Sequence, residues 1–156
     1  MNSIYELCFA TSDDLSSWME LVTLVRYNFP GLESDEELEK HRKAVLKNIE
    51  RNTAICVRKD AIVVGVLIFS LKQSGISCMA VHPEHRRNGI ATAMIKQMLS
   101  VLPPDKDVWV TTFREGDDKA IEPRAFYKKL GFIEDKLEIV HNYPNQKFIL
   151  HRGAKS

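Results

Sequence analysis

Apolar residues are dense from Tyr5 to Ala10, the pattern of a strand, and Thr11, Ser12, Asp13 and Asp14 then supply helix-capping side chains. Leu15, Trp18, Met19, Val22 and Val25 follow at helical spacing. Asn28-Phe29-Pro30-Gly31 breaks that helix, because proline lacks the N–H a further turn requires and glycine favours a bend. Ser34 and Glu37 form a capping box ahead of a second helix from about Asp35 to Arg51, with Leu38, Val45 and Ile49 on one face. Its acids come first and its bases later, the order the helix dipole favours.

Thr53 to Arg58 and Ile62 to Leu71 are rich in β-branched and apolar residues, and the break at Lys59, Asp60 and Ala61 makes them a hairpin. Gly75 opens another apolar run, Ile76 to Val81, closed by His82 and Pro83. Ile90 to Leu102 is apolar on almost every face except a stripe of Thr92, Lys96 and Ser100, so this helix must be largely covered before Pro103-Pro104 ends it. Val108 to Phe113 reads as a strand, and Pro123 to Leu130 as a short helix with Pro near its start and Gly131 at its end. Phe132 to Val140 and Lys147 to His151 close the chain as strands. The order is β-α-α-β-β-β-α-β-α-β-β, without internal repeats or linkers. The strands ahead of the third and fourth helices each lead through a helix to another strand, and such crossovers imply a mixed sheet with covered faces. The fold class is therefore α/β or α+β, not a sandwich or a bundle.

A length of 156 residues leaves room for about one domain, so residues 1–156 are read as a single unit, and 44% hydrophobic residues suffice for its core. Basic and acidic side chains number 22 and 21, for a net charge of +1. No overall field exists to gather nucleic acid or an anionic membrane, and any bound anion must be held locally. The longest apolar run, Ala61 to Phe69, is far short of the about twenty residues of a membrane helix. The first basic residue is Arg26, so the N-terminus lacks the charges of a secretory or mitochondrial leader, and the expected location is cytoplasmic. Cys8, Cys56 and Cys78 show no C-x-x-C spacing and lie in apolar stretches, the setting of reduced, buried thiols.

One segment carries chemistry. Val81-His82-Pro83-Glu84-His85-Arg86-Arg87-Asn88-Gly89-Ile90-Ala91 joins a short strand to the most buried helix. The first N–H groups of a helix have no intrahelical partner and sit at the positive end of its dipole. Gly89 lets a ligand approach the backbone closely, and two arginines add charge beside it, so a pyrophosphate is well matched. Neither the G-x-G-x-x-G nor the P-loop pattern is present. His82 and His85 lack the helical spacing of a zinc pair and are read as loop residues, with no metal.

Arg86, Gly89 and Ala91, after a strand ending in Val81 and Pro83, resemble the cofactor signature of the GNAT family of N-acetyltransferases: Arg or Gln, two residues, Gly, one residue, then Gly or Ala. Ala125-Phe126-Tyr127-Lys128-Lys129-Leu130-Gly131-Phe132 is similar to the family's second hallmark, a short helix ending in Tyr-x-x-x-Gly-Phe, and the element order agrees along the whole chain. The resemblance implies a mixed, mostly antiparallel central sheet with helices on both faces. The strands Ile76 to Val81 and Val108 to Phe113 would be parallel and splayed, with the pantetheine arm of acetyl-CoA between them.

The implied reaction is transfer of an acetyl group from acetyl-CoA to an amine by direct attack through a tetrahedral intermediate. Met79, Ala80 and Val81 would pair with the pantetheine and the acetyl carbonyl. Arg86, Arg87, Asn88, Gly89, Ile90, Ala91 and Thr92 would hold the pyrophosphate, and Phe126 and Lys129 would line the cofactor. Tyr127 is the candidate general acid for the departing thiolate, since a hydroxyl can supply that proton. Glu115, just past the strand end at Phe113, is the candidate base, its plainer reading being a solvated acid of the loop. Where the family often has asparagine upstream of the tyrosine, this chain has Ala120 and Ile121.

The acceptor, a small-molecule or peptide amine, is expected between the first two helices and their connection, Trp18 to Glu37, and the loop after Phe113. Glu33, Asp35, Glu36 and Glu37 gather acids there, which would draw in a cationic amine or merely cap the second helix. The family also suggests a homodimer through the final strands. Two other functions fit the residues: a non-catalytic acyl-CoA binding or sensing module, and a protein-interaction domain whose basic loop docks an acidic partner.

Overall fold

A computed structural model describes residues 1–153. Strand β1 (Glu6–Phe9) leads through a 3₁₀ turn to α1 (Leu15–Val25) and then α2 (Asp35–Glu50). The hairpin β2 (Ala54–Lys59) and β3 (Ile62–Ser70) is followed by β4 (Gly75–Val81), α3 (Ile90–Val101), β5 (Val108–Phe113), α4 (Ile121–Lys129), β6 (Ile133–Val140) and β7 (Tyr143–Leu150). The seven strands form one sheet in the order β1-β2-β3-β4-β5-β7-β6. Every neighbouring pair is antiparallel except β4 and β5. No helix among the described residues is long and apolar enough to cross a membrane.

Each face of the sheet buries its own core. Trp18, Leu21, Val22 and Val25 of α1 and Val45 of α2 pack on Ala54, Cys56, Val66 and Ile68. Ile90, Met94, Ile95 and Met98 of α3 and Tyr127 of α4 pack on Ile55, Val57, Leu67 and Phe69 from the other side. Alternate residues of β2 and β3 thus serve opposite faces, as the period of a strand requires. The capping box at Ser34 and Glu37 forms as its spacing demands, Glu37 N donating to Ser34 Oγ at 3.1 Å.

Two boundaries differ from the sequence reading. Helix α4 begins at Ile121, so Pro123 lies in its first turn, where the missing N–H costs no intrahelical bond. Strand β7 begins at Tyr143 and includes Pro144. Its proline is tolerated because the last β7 residue paired with β5 is Asn145, opposite Phe113, so Pro144 lies beyond that ladder. The β6–β7 turn, His141-Asn142, has φ of +50° and +61°, the conformation that matches strand twist in a two-residue hairpin.

Candidate functional site

The parallel pair β4 and β5 shares one registered contact, Gly75 against Trp109, at the N-terminal ends of both strands. From there the strands diverge, so a V opens toward Val81 and Phe113. Its apex is fastened: Trp109 N donates to Ser74 O (3.1 Å), Trp109 Nε1 to Gln73 O (2.9 Å) and Ser74 Oγ to Asp107 O (2.7 Å). The indole lies so close over Gly75 that any Cβ there would strike it. Met79, Ala80 and Val81 pair with Leu67, Val66 and Gly65 of β3 on their outer edge, leaving their inner edge toward the V.

At the mouth of the V, β4 passes into α3 through a structured loop. His82 N donates to Val64 O (2.8 Å) and its Nδ1 accepts from Glu84 N (3.1 Å), shaping one 3₁₀ turn at Pro83–His85. The Tyr5 hydroxyl meets His85 Nδ1 at 2.9 Å, and Asn88 Nδ2 donates to the carbonyls of His85 (3.0 Å) and Arg86 (3.2 Å). Burial, then the neighbouring His82, holds the His85 imidazole below its ordinary pKa. Both histidines thus shape the loop.

Gly89 is the N-cap of α3 with φ +77°, and no side chain caps the helix. The first-turn N–H groups at Ile90, Ala91 and Thr92 therefore lack a side-chain acceptor. Arg86 and Arg87 are exposed and, among the described residues, paired with no acid. Uncapped N–H groups, the helix dipole and two free guanidinium groups together make a seat for a polyphosphate. These residues fit the diphosphate of a nucleotide-bearing thioester.

Tyr127 is 6% exposed and packs edge-on against Phe126 (5.3 Å) and Phe132 (5.5 Å). Its hydroxyl has no hydrogen-bond partner among the described residues. Burial, then the nearby Cys78, pushes its pKa up, so the phenol stays protonated near neutrality, as a proton donor must. Cys78, on β4, is itself pushed up to about 12 by burial. Phe126 is half-buried against the same core, and Lys129 is exposed at the end of α4.

Glu115 is exposed and borders a cleft of about 280 Å³ with Ala120, Ile121, Arg124, Ala125 and Lys128. That stripe of α4 excludes Tyr127, so the structure does not bring the two catalytic candidates into contact. Arg124, which no sequence pattern singles out, is 6% exposed there. It donates to Phe113 O (2.9 Å) and Gln146 Oε1 (2.8 Å), pairs with Glu134 and lies over the Phe148 ring. Nothing in a lone Arg between Pro123 and Ala125 signals that burial.

Three connections converge past the open end of β5. Lys119 Nζ donates to Tyr27 O (2.8 Å), tying the loop after Phe113 to the α1–α2 connection, and the His141 ring of the β6–β7 turn packs against Gly31. Within this wall Trp18 is a core residue with 0% exposure. Glu33 accepts from Gly31 N (3.0 Å) and Glu37 from Ser34 N (3.1 Å), so both carboxylates serve local turns.

A protein-family model, "Acetyltransferase (GNAT) domain", matches residues 50–134, more than half of the chain. The chain belongs to the GNAT acetyltransferase family. Solved structures agree in fold. A GNAT-family acetyltransferase from Bacillus cereus is 20% identical, with a TM-score of 0.71 over 97% of this chain and 99% of that one. An N-acetyltransferase from Staphylococcus aureus is 17% identical, with a TM-score of 0.71 over 92% and 99%. The PaiA N-acetyltransferase of Thermoplasma acidophilum, solved in complex with coenzyme A, is 15% identical, with a TM-score of 0.67 over 94% and 98%. Comparison with curated proteins returned no match. The matched stretch runs from the end of α2 into β6, and so contains the V, the Arg86–Ala91 loop and Tyr127. The GNAT fold accounts for the single parallel pair inside an otherwise antiparallel sheet.

Proposed function

We propose that this protein transfers an acetyl group from acetyl-CoA to a primary amine. The observation that carries the reading is the V between β4 and β5 opening beside an uncapped helix N-terminus with Gly89 and two arginines that pair with no acid among the described residues. Bound there, acetyl-CoA supplies an activated thioester. Arg86, Arg87 and the N–H groups from Asn88 to Thr92 hold its diphosphate, with Phe126 and Lys129 alongside. The inner edge of Met79, Ala80 and Val81 supplies backbone groups to the pantetheine and to the acetyl oxygen, where developing negative charge is best met by a fixed N–H in a site without water.

Tyr127 keeps its proton until the thiolate leaves. The amine enters from the end where the α1–α2 connection, the loop after β5 and the β6–β7 turn meet, and Glu115 on that loop is the nearest free carboxylate in sequence to accept its proton. The fold and the activity are carried by residues 1–156 as one domain, acting in the cytoplasm on a small-molecule or peptide amine. Ile133, Leu137 and Ile139 stand 52%, 58% and 63% exposed on edge strand β6, a face suited to a second copy, which light scattering would detect.

Thermal unfolding with and without acetyl-CoA tests the reading. Ligand at a hundred times its dissociation constant should add about 2.7 kcal/mol. An unchanged melting temperature and no heat of binding would remove the reading. Stabilisation without CoA release across a panel of amines would turn it into the acyl-CoA sensor.

A further inference from the structure

We propose that Cys8 and Cys56 form a reversible, oxidation-driven staple between the two outer strands β1 and β2. The two residues lie directly opposite each other in the antiparallel register. Two places along, Ala10 N donates to Ala54 O at 2.9 Å, so Cys8 and Cys56 share the parity of the hydrogen-bonded pairs. Such pairs hold their Cα atoms about 5.5 Å apart, inside the range a disulfide spans. The sulfurs already meet at 3.5 Å as free thiols, with no disulfide between them.

The two thiols are not equivalent. Cys8 is partly exposed, whereas Cys56 has 0% exposure. Arg58 Nη2 donates to Cys8 Sγ at 2.9 Å, and the same guanidinium is anchored by Asp14 at 2.6 Å. A cationic donor on a sulfur favours its thiolate. Burial acts against this and raises both thiols, with Asp14 and Glu6 adding to the rise at Cys8 and Arg58 opposing it. Cys8 is therefore the sulfur that meets an oxidant, and Cys56 the one that resolves it. The site is separate from the V, with β3 and β4 between.

With hydrogen peroxide as oxidant the atoms balance. The Cys8 thiolate attacks one peroxide oxygen, the O–O bond breaks, and the departing hydroxide takes up the thiol's proton as water. Cys56 sulfur then attacks the Cys8 sulfenic acid, the S–O bond breaks, and the oxygen leaves as water with the Cys56 proton. Two thiols and one peroxide become one disulfide and two waters. The closed loop encloses α1, α2 and their connection, and so constrains the unfolded chain.

The test treats the full-length protein with hydrogen peroxide, quenches it, unfolds it in iodoacetamide and maps peptides without reduction. Support is a Cys8–Cys56 linked peptide with Cys78 alkylated, lost again on treatment with dithiothreitol, together with a melting temperature several degrees above that of the reduced protein. Cys8→Ser and, separately, Cys56→Ala should show neither the link nor the rise. Both thiols alkylated after exposure, Cys8 carried to sulfinic acid beside a free Cys56, or a link between two chains would each overturn the proposal.

Discussion

The two edges of β5 are built in opposite ways. Toward β7 every residue from Val108 to Phe113 has a partner, and where the ladder ends at Phe113 and Asn145, Arg124 continues it by donating to Phe113 O and to Gln146. Toward β4 only Trp109 is paired. Unpaired backbone groups inside a sheet are costly unless water or a ligand meets them. The sequence places a small residue at the apex, bulky half-buried ones at Met79 and Val81, and an arginine-rich loop at the mouth. The closed edge makes β5 a rigid wall, and on the proposed function the open edge is where acetyl-CoA would replace the missing strand contacts.

The largest effect should come from closing the open edge at its mouth. Gly89→Val places a β-branched residue at φ +77°, at a cost of about 1–2 kcal/mol. A Cβ there meets only Met1 backbone atoms, at 3.5 Å and beyond, so the variant should fold. Its methyl groups would stand before the first-turn N–H groups of α3, and acetyl-CoA binding should be lost in calorimetry while circular dichroism is unchanged. Tight binding by this variant would place the cofactor elsewhere.

Tyr127→Phe probes the chemistry without the walls. The hydroxyl holds no partner among the described residues, so the melting temperature and acetyl-CoA affinity should stay near those of the parent, while turnover should fall about 10²- to 10⁴-fold. Unchanged turnover with chemistry rate-limiting would leave Tyr127 as a packing residue between Phe126 and Phe132. Arg124→Met tests the closed edge instead. It strips Phe113 O and Gln146 of a buried donor and should cost about 2 kcal/mol in urea unfolding. If acetyl-CoA affinity falls with it, the closed edge is what keeps the opposite edge in shape.

The same contrast explains what was legible in the sequence. Periodicity marked the elements, because Leu15 to Val25 carries one apolar stripe and Ile90 to Leu102 is apolar on all but one polar stripe, and Gly89 after two arginines marked the loop, because local chemistry is written in adjacent residues. The pairing of Cys8 with Cys56, the burial of Arg124 and the meeting of Lys119 with Tyr27 join positions far apart in the chain. No local pattern encodes those. Pro144 and Asn145 hid the start of β7, since their usual setting is a loop, and only the end of β5 makes them tolerable there. The acids from Glu33 to Glu37 suggested a pocket for a cationic amine, yet turn closure and capping already use Glu33 and Glu37.

The smallest effect concerns the join just past the end of β5. The Tyr143 hydroxyl donates to Asp117 Oδ2 at 2.6 Å, and Lys119 N donates to Oδ1 at 2.9 Å, so Asp117 titrates below its ordinary value, chiefly through the tyrosine. A carboxylate depressed on folding adds stability above its unfolded pKa of about 3.9, and that stability is lost as pH falls through the lower folded value. Tyr143→Phe keeps the ring contact with Phe113, 5.7 Å between centroids, and removes the donor. The Asp117 carboxyl should then titrate higher by NMR, and the variant should be slightly less stable than the parent near neutrality. The difference should vanish in acid, where Asp117 is protonated in both. Because this join belongs to the closed side of β5, acetyl-CoA affinity should not move; an unshifted Asp117 titration would mean that the β5–α4 loop is held to β7 by packing alone.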